Sequence, residues 1–315
     1  MQSLATARRS RSAVVESGVN ARGPDFVDVS SQASEPVKTE AMLREGLRLA
    51  RLTETNQPAR VADKMLALAR QLSKADQRAE HEALMDEALS LLAQSPAQQG
   101  AAYSLIVNEE VRTREQWRDF DGALRLCRQS CELFRRMPGD QRSGIANALI
   151  HSTTSLARLN RWEEDEKVSR EIVQLRIDQF GPDASLTLNA KMALGVVLEA
   201  RGEPGAAEAA YREAASGFVH CPDFEPGMAD NAAQTFAFFL VQKERHAEAE
   251  KVLLEGWNAL QSHSNTTVEQ RHDAAKRIVE LYQAWDAIVP NAGRAAQAAE
   301  WKKRLAEFSP SPSPN

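Results

Sequence analysis

Three observations predict an all-α fold, an α-α superhelical solenoid of stacked helix hairpins. Apolar residues recur at helical spacing through most segments between residues 38 and 308. Similar residue types return at an interval of 42, the mark of a repeated supersecondary unit. Alanine is abundant and aromatic residues make up only 6%, which suits close helix packing better than a sheet sandwich.

Taken in order, residues 1–37 are expected to be disordered. Arg8, Arg9 and Arg11 stand among serines, but no apolar core of a secretion signal follows them. Glu16, Asp25 and Asp28 argue against a transit peptide. Glu40–Leu52 reads as an N-terminal capping helix carrying Met42, Leu43, Leu47 and Leu49. From there, the second helix of each unit has a small-residue slot at His81, Ala123, Asp165, Ala207 and Ala249. Four residues on come Met85, Cys127, Ser169, Tyr211 and Leu253, and the register continues through Ala88, Ser130, Ile172, Ala214 and Gly256. First helices carry equivalent trios: Leu68, Ala69 and Leu72; Leu194, Gly195 and Leu198; Phe236, Ala237 and Leu240; Ile278, Val279 and Tyr282.

Two units depart from the rule. The second has Glu110 and Arg114 in apolar slots. Shifting its stripe back onto Ile106, Val107 and Val111 restores it and predicts a longer loop near Arg112–Gln116. The last unit is expected to lengthen its turn over Asp286–Arg294 before a helix at Ala295–Phe308. Ser95-Pro96, Pro138-Gly139, Gly181-Pro182 and Pro222 with Pro226 punctuate the units, where a helix must stop. The cleanest copy predicts a helix over Ser185–Ala200, a break at Gly202 and a helix over Gly205–Phe218. The array holds five to six hairpins over residues 38–308, and the tail 309–315 alternates Ser and Pro as a solvated end.

A net charge of −5 gives no electrostatic reason to expect nucleic acid or an anionic membrane surface. Three cysteines without CxxC spacing imply neither a disulfide framework nor a zinc site. The longest apolar run, Phe236–Val241, is far too short to span a bilayer. A cytoplasmic location is the expectation.

The pattern Leu194, Gly195, Leu198, Gly202, Ala207, Tyr211 and Ala214 resembles the tetratricopeptide repeat. The lead-in Gly181, Pro182, Asp183, Thr187 and Leu188 resembles the 42-residue variety of kinesin light chains and their bacterial relatives. Met192 and Ala193 stand where that family often has paired asparagines. The closing stretch Arg277–Trp285 with Ala298–Trp301 is similar to the end of such arrays in bacterial proteins, some of which follow a kinase domain. No kinase motif is present here.

The resemblance implies that first helices line a concave groove. Carried over by position, the ligand-facing residues are Asn147, Ile150 and Thr154; Asn189, Met192, Val196 and Glu199; and Asn231, Gln234, Phe238 and Val241, with Asp273, Lys276 and Glu280 next in series. An asparagine row can satisfy peptide N–H and C=O groups without reading sequence. Met192, Val196 and Phe238 would supply the apolar pockets that do read it. Alternatively, the asparagines cap helices or bond within the array. Lys191 is an isolated match to the basic clamp of chaperone-binding relatives. These features imply a non-enzymatic scaffold for a partner protein or peptide. The alternative is a regulatory or sensory array answering to a small ligand or controlling a kinase or transcription partner.

Chemistry finds little support in the residues. Cys127 and Cys131, one helical turn apart, fit core packing better than a metal or redox site. His220-Cys221 at a helix end fits a dipole partner better than a nucleophile pair. Glu163–Glu166 reads as a solvated acidic helix start. Trp162, Trp257, Trp285 and Trp301 fall at or beside packing positions. No catalytic residues, metal or cofactor are expected.

Overall fold

The computed structural model describes residues 36–74, 77–94 and 96–308. The expected disorder of the two termini therefore lies outside the described residues, except that helix α1 already begins at Pro36. Every described element is helical: α1 (Pro36–Thr53), α2 (Pro58–Lys74), α3 (Arg78–Ala93), α4 (Pro96–Gln116), α5 (Phe120–Arg136), α6 (Arg142–Arg158), α7 (Trp162–Phe180), α8 (Ser185–Ala200), α9 (Pro204–Val219), α10 (Pro226–Gln242), α11 (His246–Ser262), α12 (Val268–Ile288) and α13 (Arg294–Glu307). Short connections make sequence neighbours pack as antiparallel hairpins. The chain divides into two compact units, Met1–Arg161 and Trp162–Asn315, each an α–α solenoid segment with a core of its own.

The 42-residue interval is written into the backbone. The N–H groups of Gln77, Asp119, Arg161, Glu203 and Arg245 bond the carbonyls of Leu72, Arg114, Leu156, Leu198 and Leu240, at 2.8 to 3.1 Å. Each is a bond across the end of a first helix, the 6→1 closure of a Schellman turn. That turn needs one residue in the left-handed region. Arg118, Asn160, Gly202 and Glu244 occupy it, with φ of 61°, 56°, 83° and 60°. Only one of the four is glycine, so the sequence displayed the turn at Gly202 and concealed it elsewhere.

In the second unit, small residues set the helix spacing. Ala207 and Ala214 are fully buried, and Gly195 lies under the Tyr211 ring, where a Cβ would come within 2.6 Å of Cδ1 and Cε1. Gly217 of α9 meets Leu188 of α8 as closely, at 2.4 Å. Tyr211 is anchored at its far end, its hydroxyl donating to the Glu199 carboxylate at 3.0 Å. Trp257 packs edge-on against Trp301, with ring centroids 5.2 Å apart. Full burial of side chains of this size contributes about 1.5–3 kcal/mol each.

The first unit corrects one expectation. Ile106, Val107 and Val111 are buried as the shifted stripe requires, but no longer loop follows. α4 runs unbroken to Gln116, and its extra length lies at the N-terminal side, from Pro96. Glu110 can fill an apolar slot because His81 and Arg114 satisfy it, at 2.7 and 2.6 Å. Arg114 also reaches Asp119, the residue whose carboxylate caps α5 through the Gly122 N–H. At the other end of the chain, α12 extends to Ile288 and the turn is confined to 289–293, with Gly293 left-handed at φ 80°.

Candidate binding face

The residues singled out from the sequence fall in both units. Asn147, Ile150 and Thr154 lie on α6 of the first unit, the asparagine exposed and the other two half-buried. The rest lie on α8 and α10, neighbouring first helices of the second unit. Asn189, Val196 and Glu199 are half-buried on α8. On α10, Asn231 and Val241 are half-buried, Gln234 is exposed and Phe238 keeps 51% of its surface open to solvent.

The row of asparagines has a distinguishing property. Among the described residues, Asn147, Asn189 and Asn231 have no hydrogen-bond partner in the chain, and none of them caps a helix. Their amides are left with both donor and acceptor capacity. Glu199 differs, because its carboxylate is engaged by Tyr211. Met192 differs more: at 7% exposure it belongs to the hydrophobic core with Leu188 and Leu198, so it packs inward rather than offering an open pocket. Val196 and Val241 lie against that core from outside.

An ion pair not read from the sequence flanks Asn231. Asp230 of α10 accepts from Arg277 of α12, tying two successive first helices together. Burial pushes the Asp230 carboxyl up against the pull of Arg277. Asp230 and Arg277 stand 47 residues apart, off the 42-residue register, so periodicity gave no cue to their contact. Asp273, Lys276 and Glu280 of α12 are exposed. Lys191 is not available as a clamp: its ammonium donates to the Pro182 carbonyl at 3.0 Å and to Glu213 at 2.7 Å.

The remaining chemical candidates resolve into packing. Cys127 and Cys131 are buried, and burial pushes the Cys127 thiol up. The Cys221 thiol donates to Asp223 at 3.0 Å beside the Ser185 hydroxyl, 3.2 Å away, and is likewise raised by burial. Asp223 also accepts from the Ser185 N–H, so the cluster clips the start of α8 to the turn after α9. Of the acidic run, Glu163 is exposed as expected. Asp165 is not: it is 1% exposed in the small-residue slot, meeting only the Ser169 hydroxyl at 3.3 Å, and burial raises its carboxyl to about 7. No group of three metal-binding side chains occurs, and no helix is long and apolar enough to cross a membrane, among the described residues.

No protein-family profile matches the sequence, and no curated protein matches it. Among solved structures, BtubC (BKLC) from P. vanneervenii is 12% identical, with 90% of this chain and 96% of that one covered at a TM-score of 0.49. A kinesin light chain of Podosopora anserina with nearly identical TPR-like repeats is 13% identical, with 68% of this chain and 95% of that one covered at 0.48. A point variant of the same protein matches equally. The periodic turns and the small-residue helix contacts agree in what they show: each unit is an α–α solenoid segment of repeated helix hairpins.

Proposed function

We propose that the chain is a protein-interaction scaffold and that α8 and α10 present a face for an extended peptide of a partner protein. The observation that carries this reading is the pair of asparagine amides, Asn189 and Asn231, 42 residues apart on adjacent helices and unpartnered within the chain. Amides so spaced can take up main-chain N–H and C=O groups of a ligand. Phe238, large, apolar and half open to water, supplies an anchor of the kind that dominates peptide affinity. Asn147, Ile150 and Thr154 belong to the same series on α6, and each unit is taken as contributing its own stretch of wall.

The test is capture from native lysate followed by mass spectrometry, with the wild type beside the triple variant Asn189→Ala, Asn231→Ala and Phe238→Ala. The substituted side chains are at least partly exposed, so the melting temperature should hold within a few degrees while specific partners disappear. Partners retained by the variant would refute the face. Stabilisation by metabolites in a thermal-shift screen, with no peptide effect, would favour a small-ligand sensor instead.

A further inference from the structure

The face of the second unit changes its charge where α12 begins. α8 and α10 carry three charged side chains between them, Lys191, Glu199 and Asp230, and each is engaged inside the chain, by Glu213, Tyr211 and Arg277. What these two helices leave open along the repeat register is amide and hydrocarbon: Asn189, Asn231, Gln234 and Phe238. α12, the first helix that packs beside α10, departs from this. At the position that follows Asn189 and Asn231 it places Asp273, with 59% of its side chain exposed.

An amide both donates and accepts, so it matches any peptide group, whereas a carboxylate only accepts. One step of the row therefore asks for a donor, and a charged donor answers it best. Among the described residues, the contact of Asp273 is the ring of its neighbour His272, with Nδ1 at 3.4 Å, and most of the carboxylate stays in water. The cations that follow it are drawn elsewhere. Arg277 pairs with Asp230, and Lys276 lies 4.0 Å from Glu280, one turn further from Asp273. Burial, and then the negative charge of Asp273, push the Asp230 carboxyl up against the pull of Arg277. Asp273 thus acts on α10 itself, on the residue beside Asn231, and one guanidinium serves two acids.

We propose that the partner peptide brings uncharged side chains to α8 and α10 and sets a cationic nitrogen, from a lysine or arginine side chain or a free N-terminus, on Asp273. The inference rests on the peptide face of α8 and α10 and adds the charge its ligand carries. Helices packed about 10 Å apart put Asn189 and Asp273 roughly 20 Å from each other, a span of about six extended residues. An acidic side chain or terminal carboxylate finds no answer on α8 or α10, because Lys191, the one cation there, is buried and held by Pro182 and Glu213.

Arrays of synthetic peptides, printed once with free and once with acetylated N-termini, test this on the full chain. The wild type stands beside Asp273→Lys, Asp273→Asn and the triple variant Asn189→Ala, Asn231→Ala and Phe238→Ala. Wild type should select otherwise uncharged peptides bearing one lysine or arginine, or uncharged peptides in the free-terminus print alone, which separates the two sources. Asp273→Lys should move the selection to aspartate or glutamate. Removing the cation from a selected peptide, by lysine-to-glutamine exchange or by acetylation, should weaken wild-type binding by up to about fivefold, the worth of an exposed ion pair. The same removal should change nothing against Asp273→Asn, and Asp273 being exposed, each of its variants should melt as wild type does. If the triple variant loses the peptides while Asp273→Lys keeps the wild-type charge preference, the cation on Asp273 is refuted and the peptide face stands. If the triple variant keeps the peptides, or wild type selects none, the face fails and the cation with it.

Discussion

His81 and Glu110 form a buried pair in which the imidazole has an acceptor at each end. Nε2 lies 2.7 Å from the Glu110 carboxylate and Nδ1 lies 2.7 Å from the Ala69 carbonyl. A neutral ring has one N–H and could satisfy only one of them. The protonated ring satisfies both, with Glu110, which also takes Arg114, as its counter-charge. Trp117 stands edge-on at 4.9 Å, and Arg78 lies over that indole while reaching Asp119 and Glu82. Burial opposes the charge, but the Glu110 and Ala69 acceptors outweigh it and raise the His81 pKa.

A raised folded pKa makes the first unit's stability depend on pH. The increment from His81 is fully present below its unfolded value of about 6.5 and is lost as pH rises through the higher folded value. Denaturant unfolding followed between pH 6 and 9 should show falling stability that His81→Gln flattens. Glu110→Gln should cost roughly 3 kcal/mol, as expected for leaving a buried charge with one partner removed. Equal slopes in wild type and His81→Gln would sink the assignment.

Asp165 occupies a slot filled elsewhere by Ala123, Ala207 and Ala249. Its carboxyl, raised to about 7, favours the folded state only while protonated, so its contribution falls as pH rises toward that value. Asp165→Ala should stabilise by roughly 1–3 kcal/mol at pH 8 and by much less at pH 4. A destabilised variant at pH 8 would show that the carboxylate has a partner worth keeping.

The four left-handed turn residues differ in strain. Nothing lies within 4 Å of a Cβ built at Gly202, so Gly202→Ala should lose about 1–2 kcal/mol from backbone strain alone. Glu244→Gly relieves that strain at some cost in chain entropy and should gain a few tenths of a kcal/mol. Thermal melts of the two single variants should therefore shift in opposite directions.

Gly195→Ala should destabilise by about 1–3 kcal/mol, because the buried Tyr211 ring that a new methyl meets cannot move aside. Combining it with Tyr211→Leu should cost less than the sum of the two single variants. Strict additivity would mean that the ring and the glycine do not set each other's position.

Much of this architecture was legible because local and periodic signals agree. Leu198, Gly202 and Ala207 announce one hairpin, and the interval carries it to the others. What escaped is what depends on a partner distant in sequence. Glu110 looked misplaced until His81, 29 residues before it, was brought alongside. Asp165 looked like a solvated helix start, as the exposed Glu163 is, yet the slot register already pointed inward. In the candidate face, Asn189, Asn231 and Phe238 were singled out by the resemblance alone, and each keeps at least part of its surface open. The inward turn of Met192 was not legible, because one methionine fits either side of a helix edge equally well.

The recurring main-chain closure at the hairpin tips also bears on how such a chain can grow or shrink. The tip is held by an N–H and a carbonyl, which every residue but proline possesses, so its geometry survives extensive side-chain drift. Removing Glu203–Glu244 would butt Gly202 directly onto Arg245 and return the Arg245 N–H to the Leu198 carbonyl. A shortened protein that still melts cooperatively with undiminished helicity per residue would show the module to be interchangeable; a molten one would show that neighbours, rather than tips, dictate its length.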